Sequence, residues 1–72
     1  VSELTMESLR NHPAEVIRAQ ISVRCNALGL TREQRNECEN VGLEPYWRWA
    51  RSIAWCTAAG VRKAHELAKV QA

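Results

Sequence analysis

Glycine and proline are the strongest punctuation a chain can carry, and this sequence uses them only at Gly29, Gly42, Gly60, Pro13 and Pro45. The stretches between them show helical spacing of apolar residues. Alternating runs flanked by turn dipeptides, the mark of strands and hairpins, do not occur. The pattern predicts an all-α fold, a small bundle of four helices, or five if the last one breaks near Gly60. At 72 residues a single domain over 1–72 is expected. The apolar fraction of 46 % and charged fraction of 25 % suit a globular chain and are too apolar for intrinsic disorder. A chain this short buries only about 60 % of its unfolded surface, which leaves little room for a deep pocket beside a core.

A first helix is expected over residues 2–10, capped by Ser2, with Leu4, Met6 and Leu9 on its apolar side. Pro13 suits the first position of a second helix, which should run to Leu28 and end at Gly29 in the left-handed conformation. Its main apolar stripe is Ala14, Ile17, Ile21, Cys25 and Leu28, with Val16, Val23 and Ala27 as a second stripe, so it reads as the central helix. Thr31 and Gln34 have the spacing of a capping box. They should open a short polar helix over 32–41 that stops at Gly42 and faces inward through Cys38 and Val41.

Pro45 is expected to start a long last helix over 45–70. Counted at 100° per residue, Tyr46, Trp49, Ala50, Ile53, Thr57, Gly60, Val61, Ala64, Leu67 and Ala68 share one arc, so the helix should pass through Gly60 on its buried side. Such a helix would measure about 39 Å, against a domain diameter of roughly 30 Å. The excess calls either for a bend near Gly60 or for cover by a second copy, a homodimer.

Charge is uneven. Residues 1–44 carry five basic and seven acidic side chains, whereas residues 45–72 carry five basic side chains and only Glu66. Either the two halves neutralise each other in the fold, or the C-terminal third meets an acidic protein face or nucleic acid. Cys25, Cys38 and Cys56 are odd in number and widely spaced, which argues against a disulfide framework and for a reducing, cytoplasmic compartment. With no C-x-x-C pair, and His12 far from His65, no metal and no cofactor are expected. No apolar run is long enough to span a bilayer. No apolar leader with a cleavage site opens the sequence, so no secretory signal is expected.

Two tryptophans fall outside the core arc. On a continuous last helix Trp47, Arg51, Trp55, Ala58, Arg62, His65 and Lys69 share a different face, with Arg48 beside it. Tryptophan and arginine dominate binding hot spots, and their interleaving permits cation–π contact. Trp47, Arg48, Arg51, Trp55, Arg62 and Lys69 are therefore the candidate partner-binding residues, set against the plainer possibility that Trp55 packs on another helix. The function expected is that of a non-enzymatic inhibitor, adaptor or accessory subunit which occupies a protein partner's surface. The alternative is a nucleic-acid-binding module on the same face, through a helix-turn-helix over 34–53 with Gly42 in the turn. Glu37, Arg48 and Arg51 fit that motif poorly, because they fall where it needs apolar anchors. A basic, tryptophan-bearing helix also suits a membrane surface, but the other helices offer no second anchor. Aspartate is absent, the glutamates are unpaired, and Cys56 and His65 sit about 180° apart on one helix, so catalytic readings have no support.

Overall fold

The structure, a computed structural model, describes residues 6–71, with side-chain surroundings given for 12–70. It is all-helical and holds three helices among the described residues: α1 (Met6–Ala27), α2 (Arg32–Trp49) and α3 (Ile53–Gln71). The count of four or five is corrected to three, and the reason lies in how the punctuation is used.

Pro13 does not start a helix. It lies inside α1, which joins the first two expected helices into one of 22 residues. The expected Ser2 cap, and the side chains of Leu4, Met6 and Leu9, lie outside the described residues. Gly42 and Pro45 likewise lie inside α2 rather than ending one helix and starting the next. Proline in a helix interior removes one backbone donor, here the partner of the Val41 carbonyl, and costs roughly 3 kcal/mol relative to alanine. Both Gly42 and Pro45 are buried. Packing, not intrinsic propensity, therefore holds α2 together through them.

The caps at residues 29 and 31 form as expected. Gly29 takes a positive φ of 73°. Its N–H donates to the Asn26 carbonyl at 3.1 Å while that of Leu30 donates to Cys25 at 3.1 Å, the paired bonds of a Schellman motif. Leu30, the apolar residue that follows, is buried. Thr31 and Gln34 close the capping box, the Gln34 N–H donating to Thr31 Oγ1 at 3.2 Å and the Thr31 N–H to Gln34 Oε1 at 2.9 Å.

The break in the expected last helix falls at residues 50–52, not at Gly60. Ala50 adopts the left-handed conformation (φ 51°); its N–H donates to the Tyr46 carbonyl at 3.1 Å, and the Arg51 N–H donates to the Pro45 carbonyl at 3.3 Å. Ser52 then caps α3, accepting the Trp55 N–H on Oγ at 3.2 Å and the Cys56 N–H on its carbonyl at 3.0 Å. The overhang that motivated a homodimer disappears, because α3 is 19 residues long and folds back along α2.

Ile17, Ile21, Cys25, Cys38, Cys56 and Ala64 are fully buried. Gly42 and Gly60 sit where α2 and α3 cross, and Ile21 of α1 plugs the space between them. A β-carbon on Gly42 would meet Ile21 Cδ1 and come within 3.0 Å of the Cys56 carbonyl. One on Gly60 would meet Ile21 and come within 3.0 Å of the Cys38 carbonyl. Each helix therefore presents a cysteine and, four residues on, a glycine to the matching pair of the other, an antiparallel crossing with no spare volume. The stripe Ala14, Ile17, Ile21, Cys25 lies in the core with Leu28 packed against it. The expected second stripe of α1 does not: Val23 and Ala27 are exposed and Val16 is only half-buried, since in three helices α1 needs one inward face. Polar links finish the contacts: Arg18 to Glu39 (3.4 Å), Lys63 to Glu37 (3.8 Å) and Arg35 Nη1 donating to Asn26 Oδ1 (2.9 Å).

Candidate functional site

The break at 50–52 resets the helical phase, which moves the expected site residues. Beyond it the core arc holds except at Ile53, which is exposed: Gly60 and Ala64 are buried, and Leu67 and Ala68 pack against the core. Before it the arc holds only at Tyr46, which packs against the core. Trp49, expected in the core, is 57 % exposed, and Ala50 is exposed. Trp47 and Trp55 are about half exposed, at 51 % and 49 %. All three indoles therefore crown the corner where α2 hands over to α3, together with Ile53.

Trp47 and Arg48 end α2, Arg51 lies in the connection, and Trp55 stands in the first turn of α3. The Arg48 guanidinium lies over the Trp49 ring, 5.5 Å from its centroid, and pairs with Glu44 at 3.5 Å, one turn back. Arg51 lies over Trp55 at 5.3 Å. Tyr46 meets Trp47 edge-on, with centroids 4.8 Å apart. Each pairing holds a large side chain in place before any partner arrives. That lowers the ordering entropy lost on binding.

Trp47 also lines a hollow of about 240 Å³ with Ala14, Glu15 and Arg18 of α1. Trp55 lines another of about 140 Å³ with Ala58, Ala59 and Arg62. Trp47 and Trp49 point to nearly opposite sides of α2, being two residues apart, so the indoles surround the corner and do not form the single stripe expected of one continuous helix. Arg62 and Lys69 remain in line with Trp55, at spacings of seven and fourteen residues on α3. Lys69 lies about 21 Å along the helix axis from Trp55, remote from the corner itself.

Neutralisation between the halves is partial. Lys63 is taken by Glu37 and Arg48 by Glu44, whereas Arg51, Arg62 and Lys69 have no carboxylate partner among the described residues. No acidic side chain occurs from residue 45 to 65. The helix-turn-helix is overturned, because α2 runs unbroken through Gly42, where that motif needs its turn.

The cysteines are free and buried. Burial, with the neighbouring Cys25 thiol adding to it, pushes the Cys38 thiol up to about 12, and burial raises Cys56 against an opposing pull from Arg51. Both are protonated at neutral pH and shielded, so neither offers a thiolate. No cluster of three or more His, Cys or Glu side chains is placed to hold a metal ion among the described residues. No described helix is long and apolar enough to cross a membrane.

Two features of this region escaped sequence reasoning. Trp49 belongs to the core only on an unbroken helix, and the break exposes it. Ser52, directly before an apolar run, carries the N-cap signal that would have placed the break. No protein-family model, curated protein or solved structure matches the chain.

Proposed function

We propose that this protein is a small docking protein, an inhibitor, adaptor or accessory subunit, that acts by occupying the surface of a protein partner and performs no chemistry of its own. One observation carries the reading: within residues 46–55, three indoles stand half exposed with arginine side chains stacked on two of them. Burying the remaining half of each ring against a partner would contribute about 2–3 kcal/mol before ordering costs. Trp47, Trp49 and Trp55 are the anchors. Arg48 and Arg51 supply charge-assisted hydrogen bonds around them, and Arg62 and Lys69 extend the cationic surface along α3. Three buried, unpaired thiols suit a reducing, cytoplasmic setting.

The test is affinity capture from cells of the source organism with nuclease present, comparing the wild type with a Trp47→Ala/Trp49→Ala variant. The reading expects a protein held in fixed ratio by the wild type and lost by the variant. Capture of no protein, together with steeply salt-dependent binding to random DNA in a separate titration, would replace it with the nucleic-acid reading, which now rests on charge without a recognition motif.

A further inference from the structure

The outward side of α3 carries a feature that the corner does not account for. Trp55, Ala58, Ala59 and Arg62 follow the i, i+3, i+4, i+7 spacing of one helix face and enclose a hollow, because two methyl groups lie between two large side chains. A second hollow of about 230 Å³ adjoins it, lined by Val41 of α2 with Ala59, Arg62, Lys63 and Glu66, so the two share Ala59 and Arg62. Together they form a shallow groove with a small, apolar floor and an aromatic wall at one end. Arg62 stands in its middle and Lys69 lies seven residues further along α3.

Resting on the docking reading above, we propose that this groove is where the partner seats a helix, one whose apolar stripe is flanked by carboxylates. Small residues on the floor let a helix axis approach closely, and the heptad spacing of Trp55, Arg62 and Lys69 matches the repeat of a helix laid along α3. The charge sets the sign. Arg51, Arg62 and Lys69 lack carboxylate partners among the described residues; of the acids beside the groove, Glu37 is taken by Lys63, and Glu66 is the one acid on α3. A second copy docking through this same face would bring those same three cations against a single α3 glutamate, so face-to-face self-pairing is repelled. Nucleic acid would meet Arg62 and Lys63 but leave the apolar floor of Val41, Ala58 and Ala59 without a matching surface, whereas an apolar helix stripe covers it.

The probe is a blocked, alanine-based helical peptide of about 14 residues, four turns, with leucine at i, i+3, i+4 and i+7 positions and three glutamates flanking that stripe, none of them three or four residues apart, together with its glutamine counterpart. Binding is followed by amide NMR on the full chain. The glutamate peptide is expected to shift Ala58, Ala59 and Arg62, and the glutamine peptide to bind at least about tenfold more weakly. Arg62→Glu and Ala58→Trp, both exposed sites, should each weaken binding by a similar factor while the thermal melt stays unchanged. The proposal fails if both peptides bind alike, if Ala58→Trp binds like the wild type, if shifts map elsewhere, or if about 1 mM peptide gives none. Capture of a host protein separates the two ideas. If Trp47→Ala/Trp49→Ala abolishes capture and Ala58→Trp does not, the docking reading stands and the groove falls. If nothing is captured, the docking reading falls and the peptide titration still decides the groove.

Discussion

Between Cys38 and Gly42, α2 offers α3 one sulfur and one bare α-carbon, and the two helices close until a single methylene more would not fit. Five to seven residues later the same helix offers solvent two indoles. The crossing and the corner thus spend side-chain volume in opposite ways on the same pair of helices. At the crossing, small residues are needed because Ile21 from α1 must reach between Gly42 and Gly60. At the corner, large residues contribute little to the core and stay available to something else. A small chain has few large apolar side chains, so leaving three tryptophans half exposed forgoes burial that the core could have used, which is the premise of the proposed docking role.

The crossing can be broken first. Ile21→Ala is expected to cost about 2–5 kcal/mol in urea unfolding, from lost burial and the cavity left behind. Gly42→Ala should cost about 1–3 kcal/mol from overpacking, despite alanine's better helix propensity. The two sites are coupled through one atom. Ile21→Val removes the Cδ1 that a Gly42 β-carbon meets, so in that background Gly42→Ala should cost distinctly less. Additive costs would mean that the glycine serves the Cys56 carbonyl contact alone.

This contrast also explains what could be read in advance. The all-α class, the cap at Gly29, the capping box at Thr31, and Gly60 on the buried side of an unbroken helix were all legible, because each rests on local chemistry. Gly42 and Pro45 misled, because a breaker's usual meaning was overridden by a tertiary demand for close approach, which no local window contains. Ala50 was invisible for a different reason. It turns the chain in a left-handed conformation that sequences normally mark with glycine or asparagine. Missing that turn hid the end of α2: Trp49 stays in line with Gly42 and Pro45 but is the last residue of the helix, past the core that covers them. The named site residues lie on the surface, but they belong to two helices and a connection instead of one face.

The crossing is also sensitive to alkali. Cys38, ordinarily titrating near 9, is pushed up to about 12 in the fold. Below the ordinary value both folded and unfolded chains hold the proton, and the stability is present in full. As pH rises through this window the unfolded chain releases the proton first, so stability falls. The urea midpoint, measured under reducing conditions from about pH 8 to about pH 11, should drop for the wild type and drop less steeply for Cys38→Ala. Equal slopes would show that the thiol is not the titrating group.

At the junction of the two regions, Ala50→Gly should stabilise by about 0.5–1 kcal/mol. An L-residue in the left-handed region costs roughly 1–2 kcal/mol, and glycine returns part of that gain through its freer unfolded state. Ala50 is exposed, so no burial is lost with its methyl group. A rise of a few degrees in the melting temperature would register this. A fall would mean that the α2–α3 connection has another conformation.

The smallest expected effects are the most informative about the corner. Trp47→Ala, Trp49→Ala and Trp55→Ala should each cost only about 1 kcal/mol, because the ordering cost of the side chain offsets much of the half-ring burial, against the 3–5 kcal/mol typical of a buried tryptophan. What each loses is half a ring of contact and, for Trp49 and Trp55, an exposed cation–π pairing worth about 0.5–1 kcal/mol. Trp55 is the sharpest case, because its backbone N–H caps onto Ser52 and survives the substitution, so the cap and the ring are tested separately. A loss of several kcal/mol at Trp55 would make the corner a second core. The arginine stacks would then be structural, and the argument that these rings are held ready for a partner would lose its basis. A near-neutral result at all three would leave contact with another molecule as the remaining reason for placing three indoles around one turn.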